Sequence, residues 1–207
     1  MLSAHQLSCQ RGTKRLFRDL HFGLQSGHWL QVKGPNGAGK TSLLRVLCGL
    51  SAASEGEVRW QGQNIRSNRS EFNAQLHYQG HGLALKDELN AQENLMSGMA
   101  LHGVSATLAE VQAALAEVGL KGRAHLPVKV LSQGQKRRVT MAALCLSRAS
   151  LWVLDEPFAA LDVSAQVSLQ GILDRHLSRG GLVVLTSHQA VELQAVGQTL
   201  DLEAFST

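Results

Sequence analysis

The sequence predicts an α/β fold: a nucleotide-binding core of parallel strands and helices, a small antiparallel sheet near its start and a helical insertion in its middle. Three observations lead there. The loop Gly34-Pro35-Asn36-Gly37-Ala38-Gly39-Lys40-Thr41 has the G-x-x-x-x-G-K-[ST] form of a phosphate-binding P-loop, with an alternating segment before it and helical spacing after it. Residues 151–154 and 181–185 are short, almost wholly apolar runs, the pattern of strands buried on both faces of a parallel sheet. Residues 85 to about 130 carry helical periodicity and no good strand.

The chain has 207 residues, 44% of them hydrophobic, enough for one sizeable core, and it reads as a single domain over 1–207. A net charge of +4 suits a polyanionic ligand such as a nucleotide and equally suits plain solubility. Cys9, Cys48 and Cys145 lie far apart without metal-ligand or C-x-x-C spacing, so they read as thiols of a reducing compartment. The first residues lack the charge and apolar run of a signal peptide, and no apolar stretch is long enough to span a bilayer.

In order along the chain, residues 2–7 and 16–22 alternate like strands, broken by Arg11-Gly12-Thr13 and by Gly27. Residues 29–32 form the strand that feeds the P-loop. A helix begins at Lys40 and stops at Gly49. Residues 57–60 read as a strand, with Gln61-Gly62-Gln63 as a hairpin turn. Asn90 and Glu93 have capping-box spacing ahead of a helix that ends at Gly103. A second helix is expected over 105–118, burying Leu108, Val111, Leu115 and Val118 on one face. Ser132 and Gln135 form another capping box at the start of a helix through 136–144. The Lys136-Arg137-Arg138 run reads as that helix's polar face rather than a nucleic-acid patch, and Met96 and Met99 read as helix packing.

The chemistry follows from residue types at strand ends and helix starts. Gly34, Gly37 and Gly39 allow a tight backbone whose N–H groups face an anion, and the helix dipole adds positive charge. Pro35, Asn36, Ala38 and Ser42 complete the cradle, Lys40 reaches the outer phosphates, and the Thr41 hydroxyl can ligate Mg²⁺. Asp155 and Glu156 close a buried strand at its carboxyl end, where ligands bind in α/β sheets. There Asp155 can hold Mg²⁺ and Glu156 can activate a water against the γ-phosphate. His188, at the end of another strand, can bond the γ-phosphate or Glu156. The helix start at Ser132, Gly134 and Gln135 offers a second anion site.

Taken in order, these motifs resemble the ATP-binding subunits of ABC transporters over nearly the whole chain. Residues 34–41 resemble Walker A. Leu131-Ser132-Gln133-Gly134-Gln135 resembles the LSGGQ signature, with Gln133 in place of its first glycine. Residues 151–156 resemble Walker B, Ala160-Leu161-Asp162 the D-loop and His188 the H-switch. The resemblance implies a P-loop NTPase (RecA-like) core with an antiparallel β-subdomain and a helical subdomain at about 85–135. It also implies ATP and Mg²⁺ as ligands and a head-to-tail homodimer closing on two ATP molecules. In that dimer Ser132, Gly134 and Gln135 of one copy face the nucleotide held by Lys40 of the other. Where the family stacks adenine on an aromatic ring, this chain has Arg11, with Phe17 as the other candidate. The Q-loop position falls on Gln79 or His81.

A finer resemblance is to the ATPases of cytochrome c maturation, carried by Gly80-His81, by Leu151-Trp152-Val153-Leu154-Asp155-Glu156-Pro157-Phe158 and by Thr186-Ser187-His188-Gln189. It implies peripheral attachment at the cytoplasmic face of the bacterial inner membrane, on integral subunits of the CcmB and CcmC kind. ATP hydrolysis would drive haem export or release of a haem-loaded chaperone. No direct haem site and no nucleic acid are expected. An ABC ATPase for another cargo and a soluble, non-transport ABC ATPase are the alternatives.

Overall fold

Two sheets organise the computed structural model, which describes residues 1–206. Its contacts divide the chain into two units. The first comprises Met1–Gly80, Ala149–Pro157 and the segment from Asp174 onward; the second comprises His81–Arg148 and Phe158–Leu173.

In the first unit, β1 (Leu2–Arg11), β2 (Lys14–Leu24), β4 (Glu55–Trp60) and β5 (Gln63–Asn64) form an antiparallel sheet in the order β2-β1-β4-β5. β4 begins two residues before the expected strand. The other sheet runs β6-β7-β8-β3-β9, from β3 (Trp29–Lys33), β6 (Leu76–Gln79), β7 (Leu151–Leu154), β8 (Leu182–Thr186) and β9 (Gly197–Asp201), and all its pairings are parallel. β7 and β8 are buried at every position, as their unbroken apolar runs require. Helix α1 (Lys40–Leu47) lays Leu43, Leu44, Val46 and Leu47 into a core shared with Leu2, Leu7, Phe17 and Val153. Each fully buried leucine there contributes about 2 kcal/mol.

A short helix, α2 (Arg69–Ala74), precedes β6. On the face of the parallel sheet that carries Trp152, the ring of His176 stacks on the indole, with centroids 3.7 Å apart and planes 8° from parallel. A Cβ at Gly181 would fall 2.2 Å from His176 Nε2, so the bare glycine makes room for the imidazole. Burial pulls the His176 pKa down to about 4, against the opposing pull of the Leu182 and Ser150 carbonyls.

The second unit is helical: α3 (Ala91–Leu101), α4 (Leu108–Glu117) and α5 (Gln133–Leu146). All three open with capping boxes, Asn90 with Glu93, Thr107 with Glu110 and Ser132 with Gln135. The Thr107 box moves the start of α4 three residues beyond the expected 105, and it leaves Leu108 half exposed while Val111, Leu115 and Val118 are buried. Met99 packs inside, whereas Met96 is 41% exposed, so only one of the two methionines serves helix packing. Asn94 ties the preceding loop to α3. Its Oδ1 accepts from the Lys86 N–H at 2.7 Å, and its Nδ2 donates to the carbonyls of Lys86, Leu89 and Asn90. Helix α6 (Val163–Ser178) starts in this unit and ends in the first. Among the described residues no helix is long and apolar enough to cross a membrane.

Candidate functional site

The P-loop leaves β3 at Gly34 and enters α1 at Lys40. Gly39 stands at the helix N-cap in the left-handed region, φ 103°, and a Cβ there would lie 3.0 Å from Leu16 Cβ. Both the backbone conformation and the packing therefore require glycine. Lys40 Nζ donates to the carbonyls of Gly34 (2.8 Å) and Pro35 (3.2 Å), which fastens the loop across its own mouth. Ser42 is buried one residue beyond Thr41.

Asp155 sits just past β7, 2% exposed, and both its oxygens are occupied: Thr41 Oγ1 donates to Oδ2 and Thr186 Oγ1 donates to Oδ1, each at 2.8 Å. Thr186 also accepts the Glu156 N–H at 2.8 Å. One hydroxyl at the end of β8 thus fixes both acids. The sequence signal for it was a threonine closing the strand beside Walker B; attention to His188 alone passes over it. Glu156 adopts φ 52°, a strained backbone for a non-glycine residue, and its Oε1 is buried without a hydrogen-bond partner, 3.5 Å from His188 Nε2. The His188 side chain is 60% exposed and Glu156's 14%. A carboxylate held in a largely dry position beside an imidazole that reaches solvent is suited to polarise a water and pass its proton outward.

Gln79 is buried at the end of β6, where its carbonyl accepts the Asp155 N–H at 2.8 Å. His81 is exposed and belongs to the second unit. Arg11 is exposed at the β1–β2 turn. Phe17 is fully buried in the core, so it cannot stack on a base; the apolar side of β2 faces inward at that position. No group of three or more metal-ligating side chains occurs among the described residues.

In the second unit, Ser132 and Gln135 are engaged with each other at the start of α5: Gln135 N–H donates to Ser132 Oγ at 3.2 Å and Ser132 N–H to Gln135 Oε1 at 3.0 Å. A Cβ on Gly134 would meet the Ala160 carbonyl at 3.2 Å, so the glycine admits close approach of the 160–162 loop. Asp162 caps α6 through the Ala165 N–H and the Ser164 hydroxyl and pairs with Arg138 Nη2 at 2.8 Å. These donors, the Ala165 amide foremost, pull its pKa down to about 2. Arg138 Nη1 also donates to the Val118 carbonyl, and Lys136 pairs with Asp87 at 2.8 Å. Arg137 is buried. The basic run is therefore internal scaffolding rather than an outward polar face, a role invisible in sequence because its partners are 20 to 49 residues away.

Residues 17–159, well over half of the chain, match the ABC transporter family. The chain belongs to that family. It is an ABC ATP-binding domain, an ATPase cassette. Among its relatives are cytochrome c biogenesis ATP-binding export proteins named CcmA. That of Nitrosospira multiformis is 50% identical over 192 residues, covering 93% of both chains. That of Pseudomonas aeruginosa is 47% identical over 204 residues, covering 99% of this chain and 100% of the relative. An ABC transporter ATP-binding protein from Pyrococcus furiosus superposes with a TM-score of 0.86 at 24% identity, over 100% of this chain and 99% of that one. A dimeric ATP-binding cassette bound to ADP and phosphate gives 0.80 at 20% identity, over 91% and 88%. At those identities the likeness concerns the ABC fold.

Proposed function

We propose that this ABC cassette is the ATP-hydrolysing subunit of a cytochrome c biogenesis export complex. The observation that carries the reading is identity of 46–50% with CcmA proteins over 92–100% of their length. The site chemistry agrees with it. Backbone N–H groups of Gly34 and of residues 36–39, Lys40 and the hydroxyls of Thr41 and Ser42 would hold the phosphates, and Arg11 would lie along the base. Thr41 Oγ1 and Asp155 Oδ2, 2.8 Å apart, are hard oxygen donors of the kind Mg²⁺ takes alongside phosphate and water, so the residues fit that ion. Bound there, Mg²⁺ would neutralise charge on the phosphate oxygens.

Glu156 would accept the proton of the attacking water, with His188 orienting the carboxylate or the γ-phosphate. Gln79 or His81 would connect the site to the membrane partner. Ser132, Gly134 and Gln135 would meet the nucleotide of a second copy, with Asp162 beside that interface, so that ATP closes a homodimer and hydrolysis opens it. The cassette would act peripherally on the cytoplasmic face of the inner membrane, on CcmB- and CcmC-like subunits, without a haem site of its own.

The test is purification of tagged Glu156→Gln protein from its native membranes in mild detergent. Co-purification of haem-handling membrane subunits is expected. Recovery with a different permease would keep the ATPase and discard the cargo, and recovery on ribosomes or nucleic acid would discard transport.

A further inference from the structure

Gln31 is a polar side chain in a place that sequence patterning reserves for apolar ones. It lies at the middle of β3, between β8 and β9, and is 3% exposed. Its register partners are Leu185 on one side and Thr199 on the other. Burying an amide without partners is costly, so the site of its hydrogen bonds matters. Gln31 Nε2 donates to the Gln189 carbonyl at 3.2 Å and to the Ser187 carbonyl at 3.5 Å. Those two carbonyls bracket His188. Within the same turn, Ser187 Oγ accepts the Gln189 N–H at 3.0 Å and donates to the Gln189 carbonyl at 3.1 Å.

We infer that Gln31 is a positioning residue for His188: one buried amide clasps the backbone on both sides of the histidine and holds its ring within reach of Glu156. The inference rests on the reading of Glu156 and His188 as the hydrolytic pair. The His188 side chain is 60% exposed, so its ring owes little to burial and depends on how the backbone beneath it is held. The turn that carries it follows β8 directly. The clasp adds a bond from the strand core to the short-range Ser187–Gln189 bonds of the turn, and removing it loosens the 3.5 Å approach of His188 to Glu156 Oε1. The amide of Gln31 is spent on the Ser187 and Gln189 carbonyls and lies outside the P-loop, so it acts on the rate of hydrolysis rather than on ATP affinity.

Gln31→Met keeps the length of the side chain and removes both donors. Its kcat is expected to fall about tenfold with KM unchanged within twofold. In a His188→Ala background the same substitution is expected to cost nothing further, because the group it positions is gone. A second readout is the ring resonance of His188 in histidine-labelled protein. It should respond to Glu156→Gln in the parent chain and lose that response when Gln31→Met is added. Should Gln31→Met fail to fold, Gln31→Asn carries the same measurements, with an amide one methylene too short to span both carbonyls. Unchanged kcat in the folded variant, a further loss on the His188→Ala background, or an intact resonance response would each overturn the role of Gln31. Full turnover by His188→Ala alone would instead overturn the reading of the site on which it rests.

Discussion

At the scale of single residues the decisive feature is the difference between Asp155 and Glu156. Asp155 accepts a threonine hydroxyl on each oxygen and is thereby fixed in orientation, with lone pairs left for a cation. Glu156, one residue on, is turned by its positive φ so that Oε1 is buried and uncommitted. An uncommitted carboxylate oxygen is what a general base needs, and the strain of holding it there is of the order of 1–3 kcal/mol. Glu156→Gln is therefore expected to lower ATP turnover about 100-fold or more while ATP binding persists; phosphate release and equilibrium binding of a fluorescent nucleotide measure the two separately. Most of this site was legible in the sequence, because phosphate binding dictates glycines, a lysine and a hydroxyl at fixed spacing. What was not legible is who supports whom. Thr186, Gln31 and Arg138 act through partners 20 to 158 residues distant, and no local pattern announces such a bond.

At the scale of elements, α5 and α6 are joined by Arg138. Its guanidinium serves three acceptors, the end of α4 at Val118, Ser164 and the Asp162 carboxylate. Arg138→Met would leave the Val118 carbonyl without its donor and Asp162 without its counter-charge. A lower urea midpoint is expected at neutral pH, mostly from the orphaned Val118 carbonyl, since Ala165 and Ser164 continue to hold Asp162. The deficit should shrink as pH falls from about 4 toward 2, since Asp162, with its pKa depressed to about 2, gives its stabilisation above the ordinary carboxylate value and surrenders it through that window. Helices were readable where a capping box opens them, as at Asn90 and Ser132. The elements that sequence reading passed over are α2, β6, β9 and α6. The first three are six, four and five residues long, too short for periodicity to rise above chance. In β9 only Leu200 is buried, so its strand identity comes from pairing with β3 and not from its own composition. Helix α6 does carry a readable stripe, Ala165, Leu169, Ile172 and Leu173.

For the molecule as a whole, the stacked pair of Trp152 and His176 sets a limit on acid tolerance. His176 is neutral in the folded chain down to about pH 4, whereas the unfolded chain protonates it near the ordinary value of 6.5. Between those values the unfolded state binds the extra proton, so stability falls as pH falls. The groups around the ring do not reverse this. The Leu182 and Ser150 carbonyls favour the proton, Arg179 opposes it, and burial outweighs them. His176→Phe keeps a ring against Trp152 and removes the titration. Its melting temperature is expected to vary less between pH 6.5 and 4 than that of the parent chain, measured by calorimetry.

The β1–β2 hairpin has a bearing on how the protein behaves in a crowded solution. β2 is eleven residues long and lies at the outside of its sheet, where unpaired backbone groups invite a strand from another molecule. Lys14, Arg15 and Arg18 stand exposed along it, and the 3₁₀ turn of Leu202–Phe205 lies against part of it. These exposed cations along the open edge disfavour its pairing with a strand of a neighbouring copy. Neutralising them as a group would leave that edge open to edge-to-edge aggregation, so a surface made less basic there would trade solubility for a docking edge.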